Sequence, residues 1–283
     1  MSKRLVCTTS TGCLDYYKHS EHIETIRIKI DMDGELLADG TETKAVFFFV
    51  KTPADKHLVP KTSQPSIGEL MELFEGYAEE GYEEVIVTTI SSKLSGTYNG
   101  ICQCAKMLED KIKIYPFDTK TVCFIEGNFA LTAARMIEEG VETKDILKRL
   151  EEMRNENFLM FAVDSLECLV KNGRLSGAAG FLGKYLKIKP LLGLCEDGSI
   201  QAIEKIRTTK KALEAVCDHF KEYTKGHKFE AYIIYTGDEL KDFFVETIKE
   251  KLGLENLVES PCSPVVGCHV GANAIGLGCF LKD

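Results

Sequence analysis

Hydroxyl side chains concentrate where the apolar runs of this sequence end, and they are the first candidates for chemistry. Hydroxyl residues fill positions 8–11, recur at positions 91–97 after a β-branched run ending at Ile90, and follow a third run at Asp118 and Thr119. Loops at the carboxyl ends of parallel strands meet in a ligand-binding crevice. Hydroxyls and backbone N–H groups there would suit a carboxylate or a phosphate. Each loop alone is equally explained by helix capping and turn formation.

Two basic residues stand in unusual surroundings. His269 lies in an apolar, glycine-flanked segment at residues 264–271, where a structural and a ligand-binding histidine are both open interpretations. Arg174 lies between glycines 173 and 177, and it either binds an anion or holds a loop. The remaining histidines fall in polar segments and are expected at the surface: His19, His22, His57, His219 and His227.

The common motifs of phosphate, dinucleotide and acyl chemistry are missing. The sequence has no GxxxxGK[ST] loop, no GxGxxG opening the first helix and no GxSxG elbow. These absences argue against a P-loop kinase, an ordinary dinucleotide site and a hydrolase of the nucleophile-elbow type. The cysteine and histidine spacings also lack those of structural zinc sites, so we expect neither a metal nor a cofactor.

Composition narrows the class of protein further. The 283 residues carry a net charge of -9, whereas nucleic acid and anionic membrane surfaces favour basic partners. The 11 cysteines include no CxxC pair and lie mostly in apolar runs, which favours reduced, buried thiols. Because no apolar stretch is long enough to span a membrane, we expect a cytoplasmic protein without integral membrane association.

The first half of the chain alternates strands and helices, which predicts an α/β fold with a mostly parallel sheet and flanking helices. Ser66 and Glu69 form a capping box at the start of one helix, which Gly81 ends. Strands are predicted at residues 5–8, 23–30, 85–90 and 113–117, and further helices at 98–108, 124–139 and 144–155.

The second half has a different rhythm and predicts a mixed α/β domain. Asp197-Gly198 marks a hairpin between apolar runs at residues 186–195 and 200–207. Strands are also predicted at residues 159–163, 231–235 and 264–268, and helices at 210–223 and 238–252. We therefore predict two domains, residues 1–156 and 157–283.

Five segments together resemble the DegV family of fatty-acid-binding proteins. They are TSQPS at residues 62–66, ISSKLSGT at 90–97, LVKNGRLS at 169–176, IKPLL at 188–192 and VGCHVG at 266–271. Their order fits the family over essentially the whole chain. The first loop departs from it, because the family commonly has T-D-S-T where residues 8–11 read TTST. The resemblance also places Phe47, Phe48 and Phe49 in a helix.

The resemblance implies a two-domain α/β protein with a lipid site between its domains. It implies one long-chain (C14–C18) fatty acid, such as palmitate, whose carboxylate is bound by Thr62 and Ser95, with His269 as a third contact. Possible additional contacts are Ser63, Ser92 and Arg174. It further implies a carrier that presents the acid to a separate fatty acid kinase, which makes the acyl phosphate used in phospholipid synthesis.

Two other functions stay open at this point. A small-molecule kinase or hydrolase could use the same cleft, with Ser95 or His269 as its catalyst. An acyl-chain-sensing regulator would share the ligand and differ in its partner. Thr62 and Ser95 have few basic neighbours in sequence, which predicts a carboxylate held by neutral donors with one oxygen left available for reaction.

Overall fold

The computed structural model describes residues 2–32, 34–43, 60–175 and 188–282. The phenylalanine run at residues 47–49 and His57 lie outside these ranges. The strands are β1 (Arg4–Thr9), β2 (Ile23–Ile26), β3 (Lys29–Met32), β4 (Glu35–Ala38), β5 (Lys61–Ser63), β6 (Glu84–Thr89), β7 (Lys113–Asp118), β8 (Asn157–Ala162), β9 (Lys189–Leu194), β10 (Ile200–Ile206), β11 (Lys228–Tyr235), β12 (Val258–Pro261) and β13 (Ile275–Lys282). The helices are α1 (Ile67–Glu79), α2 (Thr97–Met107), α3 (Phe124–Glu138), α4 (Thr143–Asn155), α5 (Glu167–Lys171), α6 (Thr209–Tyr223), α7 (Lys241–Leu252) and α8 (Pro264–Val270).

The first sheet has the order β2-β1-β6-β7, and all its strands run parallel. The two central strands, β1 and β6, are buried on both faces, which explains their continuous apolar runs. Helices α1 and α2 cover one face through residues such as Phe74 and Ile101. The predicted capping box between Ser66 and Glu69 is confirmed at the start of α1.

The second sheet is mixed, in the order β10-β9-β8-β13-β11-β12. Its pairs are antiparallel except β11 with β12, which run parallel. The predicted hairpin is confirmed: β9 and β10 pair across a turn in which Gly198 has a φ of 84°. The α/β class, with a parallel first sheet and a mixed second one, is therefore as predicted, and the domain boundary at residue 156 stays a prediction.

Helix α3 lies between the two sheets and packs against β1 and β6 of the first and β13 of the second. Its buried residues point in every direction around the helix axis, because both of its sides meet protein. Asn128 donates to the hydroxyl of Tyr232 on β11 over 2.6 Å. This shared layer joins the two halves of the chain in one hydrophobic cluster.

Two predicted strands are wrong. Residues 23–30 form two strands instead of one: β2 pairs with β1, whereas β3 belongs to a separate sheet of order β4-β3-β5. The two strands are separated at Arg27 and Ile28. Arg27 forms an ion pair with Asp15, and the N–H of Ile28 donates to Ser10 Oγ over 3.2 Å.

Residues 264–268 were expected as a strand and instead begin helix α8. Ser263 has the extended backbone of an N-cap residue, and Pro264 occupies the first helical turn, where its fixed φ favours a helix. The N–H of Val265 donates to Oδ1 of the buried Asp39 over 3.3 Å. An apolar run this short is compatible with a strand or a helix. The N-cap interactions at Ser263, Pro264 and Asp39 favour the helix.

A buried carboxyl group fastens the first loop to α3. Thr9 Oγ1 and Thr11 Oγ1 each hydrogen-bond one oxygen of Glu126, and the Thr11 contact is 2.8 Å long. Glu126 is fully buried, and this burial raises its pKa to about 8. Glu126 of α3 thus brings a carboxyl group to the first loop, and this group is protonated at neutral pH.

Within the described residues, each helix is too short or too polar to cross a membrane.

We expect Glu126→Gln to flatten the pH dependence of stability. The carboxyl group of Glu126 loses its proton near pH 4.5 in the unfolded chain, whereas it keeps the proton up to about pH 8 in the folded protein. Glu126 therefore lowers the free energy of unfolding as pH rises through that window, by up to about 1.4 kcal/mol per pH unit. Glutamine keeps the shape and does not titrate, so the variant should lose less stability between pH 5 and pH 9 in urea unfolding.

The control is Glu72→Gln, which alters an exposed carboxylate on α1. Equal pH slopes for Glu126→Gln and the unaltered protein would contradict the assignment of a buried, protonated Glu126.

Candidate functional site

A cavity of about 300 Å³ lies between the two sheets, at the carboxyl ends of the parallel strands. Its volume is at the lower end of the range for ligand pockets, about 300–1,000 Å³. Most of its wall is aliphatic or aromatic, with two thiols: Ile28, Ile90, Leu94, Val122, Cys123, Leu159, Phe161, Leu169, Ile200, Ile234, Cys262, Val265, Val266, Val270, Ala274 and Ile275. The polar lining residues are Thr11, Thr62, Ser63, Gln64, Ser95, Arg174 and His269.

The side chains of Thr62 and His269 meet at one end of the cavity, although the residues are far apart in sequence. We call this end, where the side chains of Thr62, Ser63, Gln64, Ser95, Arg174 and His269 lie, the polar end. β5 holds Thr62 through its pairing with β3, and α8 carries His269. The two side chains are joined by a hydrogen bond of 2.9 Å between Thr62 Oγ1 and His269 Nε2. Asp39 helps to position His269 indirectly, because the carboxyl group of Asp39 accepts a hydrogen bond from the N-terminus of α8, the helix that carries His269.

His269 is neutral at physiological pH. Burial and the nearby Arg174 lower its pKa to about 4. Among the described residues, Nδ1 of His269 is buried without a hydrogen-bond partner. An unpaired N–H costs more than an unpaired acceptor, so the proton belongs on Nε2. Nε2–H then donates to Thr62, which leaves the Thr62 hydroxyl free to donate into the cavity.

Ser95 lies opposite, at the turn that leads into α2. Its Oγ accepts the N–H of Thr97 over 3.3 Å and lies 2.9 Å from the Thr97 hydroxyl. The TSQPS segment approaches this turn closely: the side chain of Gln64 packs against Gly96, where a Cβ would stand 2.1 Å from its Oε1. The two segments of the resemblance therefore meet around one point, and they supply hydroxyl donors there.

Arg174 brings a positive charge to the same end of the cavity. Gly173, with a φ of 71°, forms the turn before it. The guanidinium donates to the carbonyl oxygens of Leu94 and Asn172, and Asn172 in turn donates to the carbonyl of Cys268 on α8. No carboxylate of the described residues forms an ion pair with Arg174. The expectation that only neutral donors face the carboxylate is therefore incomplete, because Arg174 adds a cation at the same end of the cavity.

Five of the six residues expected from sequence line this cavity: Thr62, Ser63, Ser95, Arg174 and His269. Ser92 is not among the lining residues, and its N–H donates to Oδ1 of Asp118 over 3.1 Å. Sequence reasoning missed Gln64, although it stands inside the TSQPS segment. It also missed Glu126, whose signal was an acidic residue within the apolar run of α3.

The polar end is open to solvent, whereas the apolar wall is buried. Ser63 and Gln64 are exposed, and Thr62, Ser95 and Arg174 are half-buried. The hydroxyls of Thr62 and Ser95 can donate into the cavity and Arg174 is a cation, so this end favours an anion. No group of three potential metal ligands occurs within residues 2–32, 34–43, 60–175 and 188–282.

Comparisons with known proteins agree on one family. The model of the DegV family, described as uncharacterised, matches residues 3–282. A DegV domain-containing protein of Staphylococcus aureus is 33% identical over 284 residues, which cover 98% of this chain and 96% of that protein.

Two solved structures share the fold at full length. DegV of Bacillus subtilis, described as a fatty acid binding protein, has a TM-score of 0.87 and 32% identity, with 100% of each chain covered. The fatty acid binding DegV family protein of Streptococcus agalactiae has a TM-score of 0.89 and 29% identity, also with 100% of each chain covered. On this evidence the chain belongs to the DegV family.

Proposed function

We propose that this protein binds one long-chain (C14–C18) fatty acid, with the alkyl chain in the apolar cavity and the carboxylate at its polar end. Thr62, Ser95 and His269 form the head-group site, with Ser63 and Arg174 as additional contacts. The observation that carries the proposal is an aliphatic cavity whose open end has hydrogen-bond donors and the cation Arg174, which has no carboxylate partner among the described residues. The solved relatives described as fatty acid binding support the ligand class.

The alkyl chain supplies the affinity. Each buried methylene contributes about 0.8 kcal/mol, so about fourteen of them contribute on the order of 11 kcal/mol. Association costs at least about 4 kcal/mol in lost freedom of motion. The remainder is sufficient for tight binding without a strong contribution from the head group.

The head group supplies orientation. A carboxylate in an apolar cavity is costly unless its oxygens are hydrogen-bonded, and each bond to an ionised partner contributes about 1.5–3 kcal/mol. Thr62 and Ser95 can each donate one such bond. The positive charge of Arg174 favours the ionised form of the acid. His269 acts through Thr62, because its Nε2–H fixes the direction of that hydroxyl.

We further propose that the bound carboxylate is presented to a fatty acid kinase. Exposed Ser63 and Gln64 at the polar end leave the head group within reach of a partner, while the buried wall retains the chain. His269 is a weak base, since its pKa is about 4, and the Ser95 hydroxyl is paired with Thr97 instead of a histidine. Both features favour a carrier over a catalyst.

The double variant Thr62→Val/Ser95→Ala should bind palmitate at least about tenfold more weakly, because the loss of even one charge-assisted bond is worth that much. The measurement is a titration of delipidated protein with palmitate. Thr247→Val is the matched control, because its hydroxyl donates to the carbonyl of Phe243 within α7, and Thr247 is not among the residues that line the cavity. Unchanged affinity in a folded double variant would contradict the head-group assignment.

Palmitate-loaded protein mixed with ATP and a bacterial fatty acid kinase should yield acyl phosphate, which hydroxylamine traps as a hydroxamate. Neither protein alone should do so, because the donors here bind the carboxylate and the partner supplies the phosphoryl group. Acyl phosphate formed from ATP by this chain alone would make it the catalyst. Binding of palmitate without acyl phosphate in the mixture would contradict presentation and favour an acyl-chain sensor.

A further inference from the structure

Three thiols lie close together at the apolar wall of the cavity, and two of them line it. Cys13 follows β1, Cys123 caps the N-terminus of α3, and Cys262 follows β12. The sulfurs of Cys123 and Cys262 are 3.6 Å apart and share a hydrogen bond. Cys13 is held differently: its thiol donates to the carbonyl of Thr11 over 3.2 Å and accepts the N–H of Ser263 over 3.3 Å.

The backbone holds two of these thiols in uncommon conformations. Among the described residues, the non-glycine residues with positive φ are Cys13, Lys120 and Cys123. Cys123 has a φ of 62° and a ψ of -156°, a region that is almost restricted to glycine. Such conformations persist where the surroundings enforce them, and they cluster at functional sites.

Cys123 and Cys262 are reached through the cavity. Both line it, although they are only 3% and 4% exposed. A hydrogen bond from another thiol of the trio lowers the pKa of Cys123 and of Cys262, but burial and the neighbouring thiols leave both pKa values above the ordinary one. A raised pKa lowers the thiolate fraction, so both thiols react slowly, and burial also keeps them away from reagents in bulk solvent. An oxidant must therefore be small or apolar enough to enter the cavity.

We propose that Cys123 and Cys262 are a dithiol–disulfide pair in the cavity wall, oxidised by a hydroperoxide that enters the cavity. One sulfur attacks the O–O bond and becomes a sulfenic acid, and the leaving oxygen takes the thiol proton to form an alcohol or water. The second sulfur then attacks the sulfenic sulfur. The S–S bond forms, the S–O bond breaks, and water leaves with the second proton. Two electrons pass from the thiols to one hydroperoxide.

The bridge has a consequence for the ligand, which rests on the proposed fatty-acid binding. Cys123 begins α3, whereas Cys262 lies at the junction that leads into α8 and His269. A disulfide requires the sulfurs to approach to about 2.05 Å. It would tie these two walls together, so separation of the walls to release an alkyl chain becomes harder. The oxidised protein should release its ligand more slowly.

The test treats reduced, full-length protein with hydrogen peroxide and maps its peptides without reduction. We expect a cross-linked peptide that joins Cys123 to Cys262, which dithiothreitol reverses. Cys262→Ser should abolish this peptide, whereas Cys217→Ser, at a buried thiol in α6, should retain it. A bridge between Cys13 and Cys123, or sulfinic acid at Cys123 without a bridge, would overturn the pairing.

The second measurement follows release of bound palmitate from the oxidised and the reduced protein. In the unaltered protein, the oxidised form should release palmitate severalfold more slowly than the reduced form. In Cys262→Ser, treatment with peroxide should leave the release rate of that variant unchanged. Equal rates in the presence of the bridge would overturn the effect on the ligand. Peptide mapping needs no ligand, so a bridge in a protein that never binds palmitate would count against the proposed function alone.

Discussion

A carboxylate can enter an apolar cavity only where hydrogen-bond donors or a cation meet its charge. The polar side chains at one end of this cavity come from distant parts of the sequence: Thr62 on β5, Ser95 before α2, Arg174 after α5 and His269 on α8. Three of them are held by a neighbouring group. His269 orients Thr62, Thr97 orients Ser95, and backbone carbonyls hold Arg174. The site therefore depends on how the two sheets are joined.

Helix α3 makes that junction, and it combines two demands. It must be apolar on all sides, because both sheets pack on it, and yet it carries Glu126. That carboxyl group remains acceptable because it is protonated and hydrogen-bonded to Thr9 and Thr11. Thr11 is also part of the cavity wall. The same helix thus forms the core, fixes the first loop and bounds the proposed ligand site.

Local signals in the sequence were sufficient for much of the fold. The capping box at Ser66, the β-branched run before Ile90 and the turn at Gly198 each define an element by contacts between near neighbours. Helix α8 has a local start signal at Ser263 and Pro264, but its apolar run is too short to exclude a strand, and part of its cap comes from Asp39, which is distant in sequence. The head-group residues came from a family resemblance, and spacing alone would not have paired Thr62 with His269. An acidic residue within an apolar run marks Glu126, but its bonds to Thr9 and Thr11 depend on how α3 packs against the first loop.

We propose that the space between the sheets holds an alkyl chain. Extraction of the purified protein with organic solvent, followed by mass spectrometry of the lipid, tests this proposal. We expect about one long-chain fatty acid per protein chain. A folded protein that yields none, and that takes up none when palmitate is added, would contradict it.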